Sequence, residues 1–226
     1  MNLHHHILKL FVLMTSLLLL SCDRQENRQT ANPTEPMPKH QGTIIAVGDS
    51  LTAGLGVAEN DAWPAIVEKR LHQDGHNWQI INGGISGETS SGTLSRIKWI
   101  LAQKPDIVIM ETGANDGLRG IRPSVVMENI RNAVQILRDG NVEVVLAGMQ
   151  IVQNLGADYA KEFAEVYPAV AGEMNCVLIP FFLEGVAGEP SLNQADAIHP
   201  NVEGHKIISE TVYPYVLKAM QHVNSN

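Results

Sequence analysis

The chain has 226 residues, 44% of them hydrophobic and 18% charged, with a formal net charge of −8. An acidic chain without Lys/Arg clusters lacks the electrostatic footprint of a nucleic-acid binder. Two cysteines, Cys22 and Cys176, rule out a disulfide framework.

The N-terminus comes first in chain order. Residues 7–20, ILKLFVLMTSLLLL, are apolar apart from Lys9, Thr15 and Ser16. The stretch from Leu10 to Leu20 is short for a bilayer span and fits the apolar core of a secretory signal. It ends in Leu19-Leu20-Ser21-Cys22, which resembles a bacterial lipobox. That resemblance implies that Cys22 becomes a lipidated first residue, and several acyl chains on one Cys make a stable anchor at about 0.8 kcal/mol per buried CH₂. The alternatives are a plain signal peptide that happens to contain a Cys, or an uncut anchor. The expected location is the bacterial periplasm, membrane-anchored through the lipid, or otherwise secreted and soluble. Residues 23–42 are polar, hold three prolines and show no apolar periodicity, as expected of a tether. The division is therefore 1–22 signal with Cys22, 23–42 tether and 43–222 folded domain. That leaves a domain of roughly 180 residues, enough for one core.

From Thr43 onward strand and helix patterns alternate. Thr43–Val47 predicts a first strand, ended by Gly48. Ala62–Gln73 carries apolar residues at helical spacing. Trp78–Ile81 predicts a second strand, stopped by Asn82-Gly83-Gly84. Thr93–Gln103 predicts a helix and Asp106–Met110 a third strand. Pro123–Arg138 predicts an amphipathic helix with Pro at its first turn, where the missing N–H does no harm. Val142–Ala147 predicts a fourth strand, Tyr159–Glu173 a helix and Val177–Ile179 a fifth strand, with Cys176 as a core thiol beside it. Glu203–Met220 closes the chain as a helix bent at Pro214. Five short apolar strands separated by helices predict a three-layer α/β/α fold with a parallel sheet buried on both faces. The expected strand order is the flavodoxin-like 2-1-3-4-5, with ligands outside the carboxyl ends of strands 1 and 3.

The segments just after the strands carry the candidate chemistry. Strand 1 runs into Gly48-Asp49-Ser50-Leu51, and strand 2 into Asn82-Gly83-Gly84-Ile85-Ser86-Gly87. Strand 3 runs into Glu111-Thr112-Gly113-Ala114-Asn115-Asp116, and Asp196-Ala197-Ile198-His199-Pro200 lies near the end. A serine hydroxyl needs a base to become a nucleophile, and a histidine near neutrality suits that task. The imidazole in turn needs a carboxylate to hold one tautomer. Asp196 and His199, three residues apart before Pro200, can meet within one loop. The backbone N–H groups of Ser50 and Gly87 and the Asn115 amide are available as oxyanion donors.

These ordered blocks resemble the GDSL or SGNH hydrolase family. Within it they are most similar to the small bacterial acyl-CoA thioesterase I, lysophospholipase and arylesterase group, over Thr43 to about Val216. Gly113-Ala114-Asn115-Asp116-Gly117-Leu118-Arg119-Gly120 and Pro180-Phe181-Phe182 share in the match. The resemblance implies hydrolysis of carboxylic esters or thioesters through an acyl-serine. In it Ser50 is nucleophile, His199 base and Asp196 its orienter; the oxyanion donors are Ser50, Gly87 and Asn115. It implies a small-molecule acyl substrate, no cofactor, no metal and a monomer. Leu118, Ile121, Phe181 and Phe182, with Leu183 and Val186, are candidates for an acyl groove or for core. Two other readings stand beside it: a carbohydrate or peptidoglycan deacetylase on the same scaffold, and a lipid-anchored binding module without turnover.

Several features read as structural. Asp49 and Asp116 fit loop braces. His72 and His76 have ligand-like spacing, but Gly75 intervenes and no Glu follows His72, so they are expected to be surface histidines. His205 is expected to be structural. The glycine-rich stretches fit neither G-x-G-x-x-G nor a phosphate loop ending in Gly-Lys-Ser/Thr. No G-x-S-x-G elbow is present.

Overall fold

The computed structural model describes residues 40–151 and 153–225. The expected signal, lipidated Cys22 and nearly all of the tether lie outside the described residues. The sheet has five parallel strands: β1 (Gly42–Gly48), β2 (Trp78–Gly84), β3 (Ile107–Glu111), β4 (Glu143–Ala147) and β5 (Val177–Ile179). Their order is β2-β1-β3-β4-β5, as expected from the alternating pattern. Ile44 pairs with Ile107 and Val108 with Val144, so the apolar runs of β1, β3 and β4 lie in register at the centre. Every residue of β3 is buried, which is why the strand reads as a continuous apolar run with no alternation.

Helices cover both faces. One layer holds α2 (Trp63–Gln73) and α7 (Val202–Ser225). The other holds α3 (Ser90–Ala102), α5 (Pro123–Asp139) and α6 (Ala157–Met174). Two very short helices, α1 (Ser50–Ala53) and α4 (Ala114–Leu118), follow β1 and β3 directly. In α5 the residues Val126, Ile130, Val134 and Leu137 form the buried stripe that their spacing predicted. Trp63 of α2 meets Phe182 edge-on, ring centroids 5.7 Å apart, and both are fully buried.

Three boundaries differ from expectation by three residues or more. β2 does not stop at Ile81: Asn82, Gly83 and Gly84 pair with Ala46, Val47 and Gly48. Gly84 is there for space, since a Cβ would lie 2.3 Å from the Ala53 nitrogen of α1. The helix expected from Thr93 starts at Ser90, because Thr89 caps it by accepting from Gly92 N–H and Asp116 holds Ser90. The last helix runs on to Ser225 with Pro214 inside it. Cys176 is half-buried rather than core, and burial pushes its thiol up to about 11. His72 is exposed, as expected, with its Nε2 2.9 Å from the Trp78 carbonyl.

His205 joins the two helices of one layer. It is buried on α7, and its Nδ1 accepts from the Trp63 N–H at the start of α2, 3.3 Å away. Burial lowers its pKa to about 4. The unfolded chain therefore takes up a proton near pH 6.5 that the folded chain refuses until about pH 4. Stability is accordingly full above about pH 6.5 and falls between there and pH 4, by on the order of 2 kcal/mol. In urea unfolding, the stability of the wild type relative to His205→Gln, which keeps an acceptor, is expected to be lower at pH 5 than at pH 7. An equal slope in both proteins would assign the acid sensitivity to other groups.

Candidate active site

The site lies at the carboxyl ends of β1, β2 and β3, where the chain leaves the sheet. Ser50 is the first residue of α1, 8% exposed. Asp49 caps that helix: its Oδ1 accepts from the Leu51 N–H at 2.9 Å. This cap turns the chain sharply at the strand end and presents Ser50 upward.

His199 arrives on a loop before α7. Its Nε2 is 2.9 Å from Ser50 Oγ, and its Nδ1 is 2.7 Å from Asp196 Oδ2. The other Asp196 oxygen accepts from the backbone N–H groups of Ile198 and His199, at 2.9 and 3.0 Å. One carboxylate therefore both folds the turn and holds the ring. These hydrogen bonds, led by the His199 backbone N–H, hold the Asp196 carboxyl well below the usual carboxylate range. Gln194 braces the loop by donating to the carbonyls of Leu55 and Pro200, which ties it to the turn after α1. Gly56 leaves room for that brace; a Cβ there would lie 2.2 Å from Gln194 Oε1.

The third strand supplies Asn115, in the first turn of α4. Its Nδ2 donates to Asp49 Oδ2 at 2.9 Å. An amide whose nitrogen faces Asp49 keeps its second N–H for another acceptor. Gly113 enters this turn at φ 103°, and a Cβ would lie 2.5 Å from the Tyr167 hydroxyl, so glycine is required. After β2, Gly87 takes φ 79° and its carbonyl accepts from Arg119. The Ile85 N–H donates to the Gly48 carbonyl, fastening this loop beside the Ser50 turn. The backbone N–H groups of Ser50 and Gly87 donate to no other group among the described residues. Asp116 faces away from the cleft and accepts from both the N–H and the hydroxyl of Ser90, 2.7 Å each.

A cleft of about 240 Å³ opens over Ser50 and Asn115, walled by Leu118, Ile151, Leu183 and Ile198. A larger concavity of about 600 Å³, lined by Lys104, Arg138 and Asn141, lies away from these residues, and its lining has no serine, cysteine or histidine. The groove candidates divide. Leu118, 52% exposed, and Leu183 line the cleft, whereas Ile121, Phe181, Phe182 and Val186 do not. Phe182 and Val186 are core. Ile121 lies beyond the cleft, its carbonyl taking the Tyr159 hydroxyl. Ile151 and Ile198 are wall residues that no sequence pattern singled out, because their apolar neighbourhoods carry no period.

The model of the GDSL-like lipase/acylhydrolase family matches residues 46–207. The chain belongs to that family. This GDSL-family chain is 41% identical over 173 residues to the esterase TesA of Pseudomonas aeruginosa, covering 76% of this chain and 86% of that protein. It is 34% identical over 185 residues to the thioesterase 1/protease 1/lysophospholipase L1 of Escherichia coli K12, covering 80% and 86%. Among solved structures, a psychrotrophic esterase EstA from Pseudoalteromonas, inhibited by monoethylphosphonate, superposes with a TM-score of 0.76. The two share 31% identity, over 80% of this chain and 99% of that one. The GDSL block itself is Gly48-Asp49-Ser50-Leu51, and its aspartate does two jobs here, capping α1 and holding Asn115.

Proposed function

We propose that this protein is a serine hydrolase acting on carboxylic esters or thioesters of small or acyl-chain acids, with Ser50 as nucleophile. The observation that carries the reading is the continuous contact from Ser50 Oγ to His199 Nε2 and from Nδ1 to Asp196, at 2.9 and 2.7 Å. His199 takes the Ser50 proton as the oxygen attacks the acyl carbon. The developing oxyanion is met by the Ser50 and Gly87 N–H groups and the Asn115 amide. The protonated His199 then gives its proton to the leaving alkoxide or thiolate, and an acyl-serine remains. Water, deprotonated by the same imidazole, releases the acid and restores Ser50. The apolar walls of the cleft favour an acyl chain over a sugar, and the esterase names of the relatives point the same way.

The test is hydrolysis of p-nitrophenyl esters from acetate to palmitate, alongside labelling with a fluorophosphonate. Turnover of chains longer than acetate and one label per chain at Ser50 are the expected results. Turnover confined to acetate would move the reading to a deacetylase. A folded protein with neither turnover nor label would move it to a binding module.

Asn115→Ala is expected to lower kcat about 10²- to 10³-fold with a small change in KM, because the amide acts on charge that develops only in the transition state. Steady-state kinetics on one ester decides this, and an unchanged kcat would remove Asn115 from the oxyanion site.

We also propose that the protein is a periplasmic lipoprotein anchored through Cys22. The support is the apolar run to Leu20, the Leu19-Leu20-Ser21-Cys22 sequence and the polar residues 23–42. Cys22→Ala is expected to abolish labelling by palmitate in cells and to prevent cleavage of the signal. Unchanged labelling would overturn the anchor.

A further inference from the structure

Beneath the Ser50 turn lies a second carboxyl that the chemistry above does not use. Glu111, the last residue of β3, is fully buried. Its Oε2 accepts from the Asp49 N–H at 3.1 Å and from the Thr52 hydroxyl at 2.9 Å. Its Oε1 is buried with no donor among the described residues. A Cβ on Gly48 would lie 2.4 Å from Oε2, so the chain passes directly over this carboxyl and shuts it off. The carboxyl group within hydrogen-bonding reach is that of Asp49, itself 1% exposed. Asp49 already accepts from the Leu51 N–H and from Asn115 Nδ2.

Two carboxyls in contact, buried and without a cation between them, do not both ionise. The guanidinium of Arg96 on α3 is committed to Glu88 and reaches the Gly48 carbonyl. Another ionisable group facing the pair is Tyr167 on α6, which has Asp116 on α4 as its own neighbour. Tyr167 donates to the Thr112 carbonyl and Asp116 holds Ser90. His199 faces Asp49 from the closing loop. One proton shared by the pair removes the repulsion. It belongs on the carboxyl with fewer reasons to be charged. Asp49 receives two N–H bonds, one of them from Asn115, while Glu111 lies deeper. Burial, and then the charge of Asp49, push Glu111 well above the ordinary carboxyl range.

We propose that Glu111 is a positioning residue: it donates a buried carboxyl proton to Asp49 and so keeps Asp49 the ionised acceptor that orients the Asn115 amide. With the proton on Asp49 instead, its O–H would seek the Asn115 carbonyl. The amide would then flip, and no donor would be held at the oxyanion. This inference rests on the reading of Asn115 as an oxyanion donor, but its first test does not.

The first test is stability in the full chain. A glutamic acid that keeps its proton when folded loses it on unfolding above the ordinary Glu range. The unfolding constant of the wild type, divided by that of Glu111→Gln, is therefore expected to rise with pH above the ordinary Glu range, by up to about tenfold per pH unit, until the folded pair itself gives up its proton. Glutamine donates and accepts at the same places without titrating. A flat ratio would mean that both carboxyls are ionised, and would overturn the proposal. The second test is kinetic. Glu111→Met is expected to lower kcat about tenfold or more at unchanged KM, and Glu111→Gln to restore it to within about threefold. In an Asn115→Ala background the Met substitution is expected to cost less than about twofold. A Gln variant as impaired as the Met variant, or a Met penalty that persists without Asn115, would overturn the positioning role. If the Met variant does not fold, the Gln unfolding series carries the decision. If Asn115→Ala costs nothing on its own, the oxyanion reading fails, while the proton held by the Glu111–Asp49 pair is still decided by the stability series.

Discussion

Ser50→Ala is expected to lower kcat/KM by about 10⁴- to 10⁶-fold and to abolish fluorophosphonate labelling. The magnitude reflects how completely the reaction depends on this oxygen. Without it His199 has no proton to accept, and only direct attack by water remains. The oxyanion donors and the cleft stay in place, so a residue of catalysis over bulk water persists. The fold is expected to be unaffected. Among the described residues the side-chain hydrogen bond of Ser50 is to His199, and Asp49 caps α1 through the Leu51 N–H without help from Ser50. Thermal unfolding of the variant should thus match the wild type within a few degrees, since a single hydrogen bond contributes about 1 kcal/mol. The double variant Ser50→Ala/His199→Ala should be no slower than the single one, because two members of one relay do not add. A folded Ser50→Ala protein retaining a tenth of the activity would end the acyl-serine mechanism.

The strand order was legible because a parallel sheet covered on both faces needs continuous apolar runs, and β1, β3 and β4 are such runs. The grouping of Ser50, Asp196 and His199 was legible for a related reason. The Ser50 and Asn115 blocks directly follow strands that end on the same side of the sheet, and Asp196 and His199, three residues apart, meet within their own loop. Features that depend on distant pairings left no such signal. Gly83 and Gly84 look like a stop in one dimension, but they are strand because they pair with Val47 and Gly48 of β1, and α1 packs closely on Gly84. Helices α1 and α4, four and five residues long, are too short to show a period. The role of Asp49 as partner of Asn115 joins residues 66 apart and leaves no local trace. The run Phe181-Phe182-Leu183 is apolar throughout, so nothing in it tells that Phe182 meets Trp63 while Leu183 faces the cleft.

Asp196→Asn is expected to lower kcat about 10⁴-fold while leaving the loop folded. The two oxygens of the side chain have separate tasks. Oδ1 accepts from two backbone N–H groups and fixes the turn, and Oδ2 accepts from His199 Nδ1. In the asparagine variant the carbonyl oxygen must stay on the two N–H donors, because an NH₂ there would face them donor to donor. The amide nitrogen then falls opposite Nδ1, which has to become an acceptor. The ring proton moves to Nε2, toward Ser50, where a lone pair is needed to take the hydroxyl proton. The geometry survives and the tautomer is wrong. The wild-type carboxyl is itself insensitive over the working range. Its pKa lies below the usual value when folded, so it is ionised above the unfolded value near 3.8, and its contribution is lost only at more acidic pH. Any decline of activity between pH 7 and pH 5 therefore comes from another group. Kinetics of the variant, with ¹⁵N shifts of the His199 ring to read the tautomer, test both statements. An Asn variant within tenfold of the wild type would reduce Asp196 to a turn former and leave the ring held by its backbone alone.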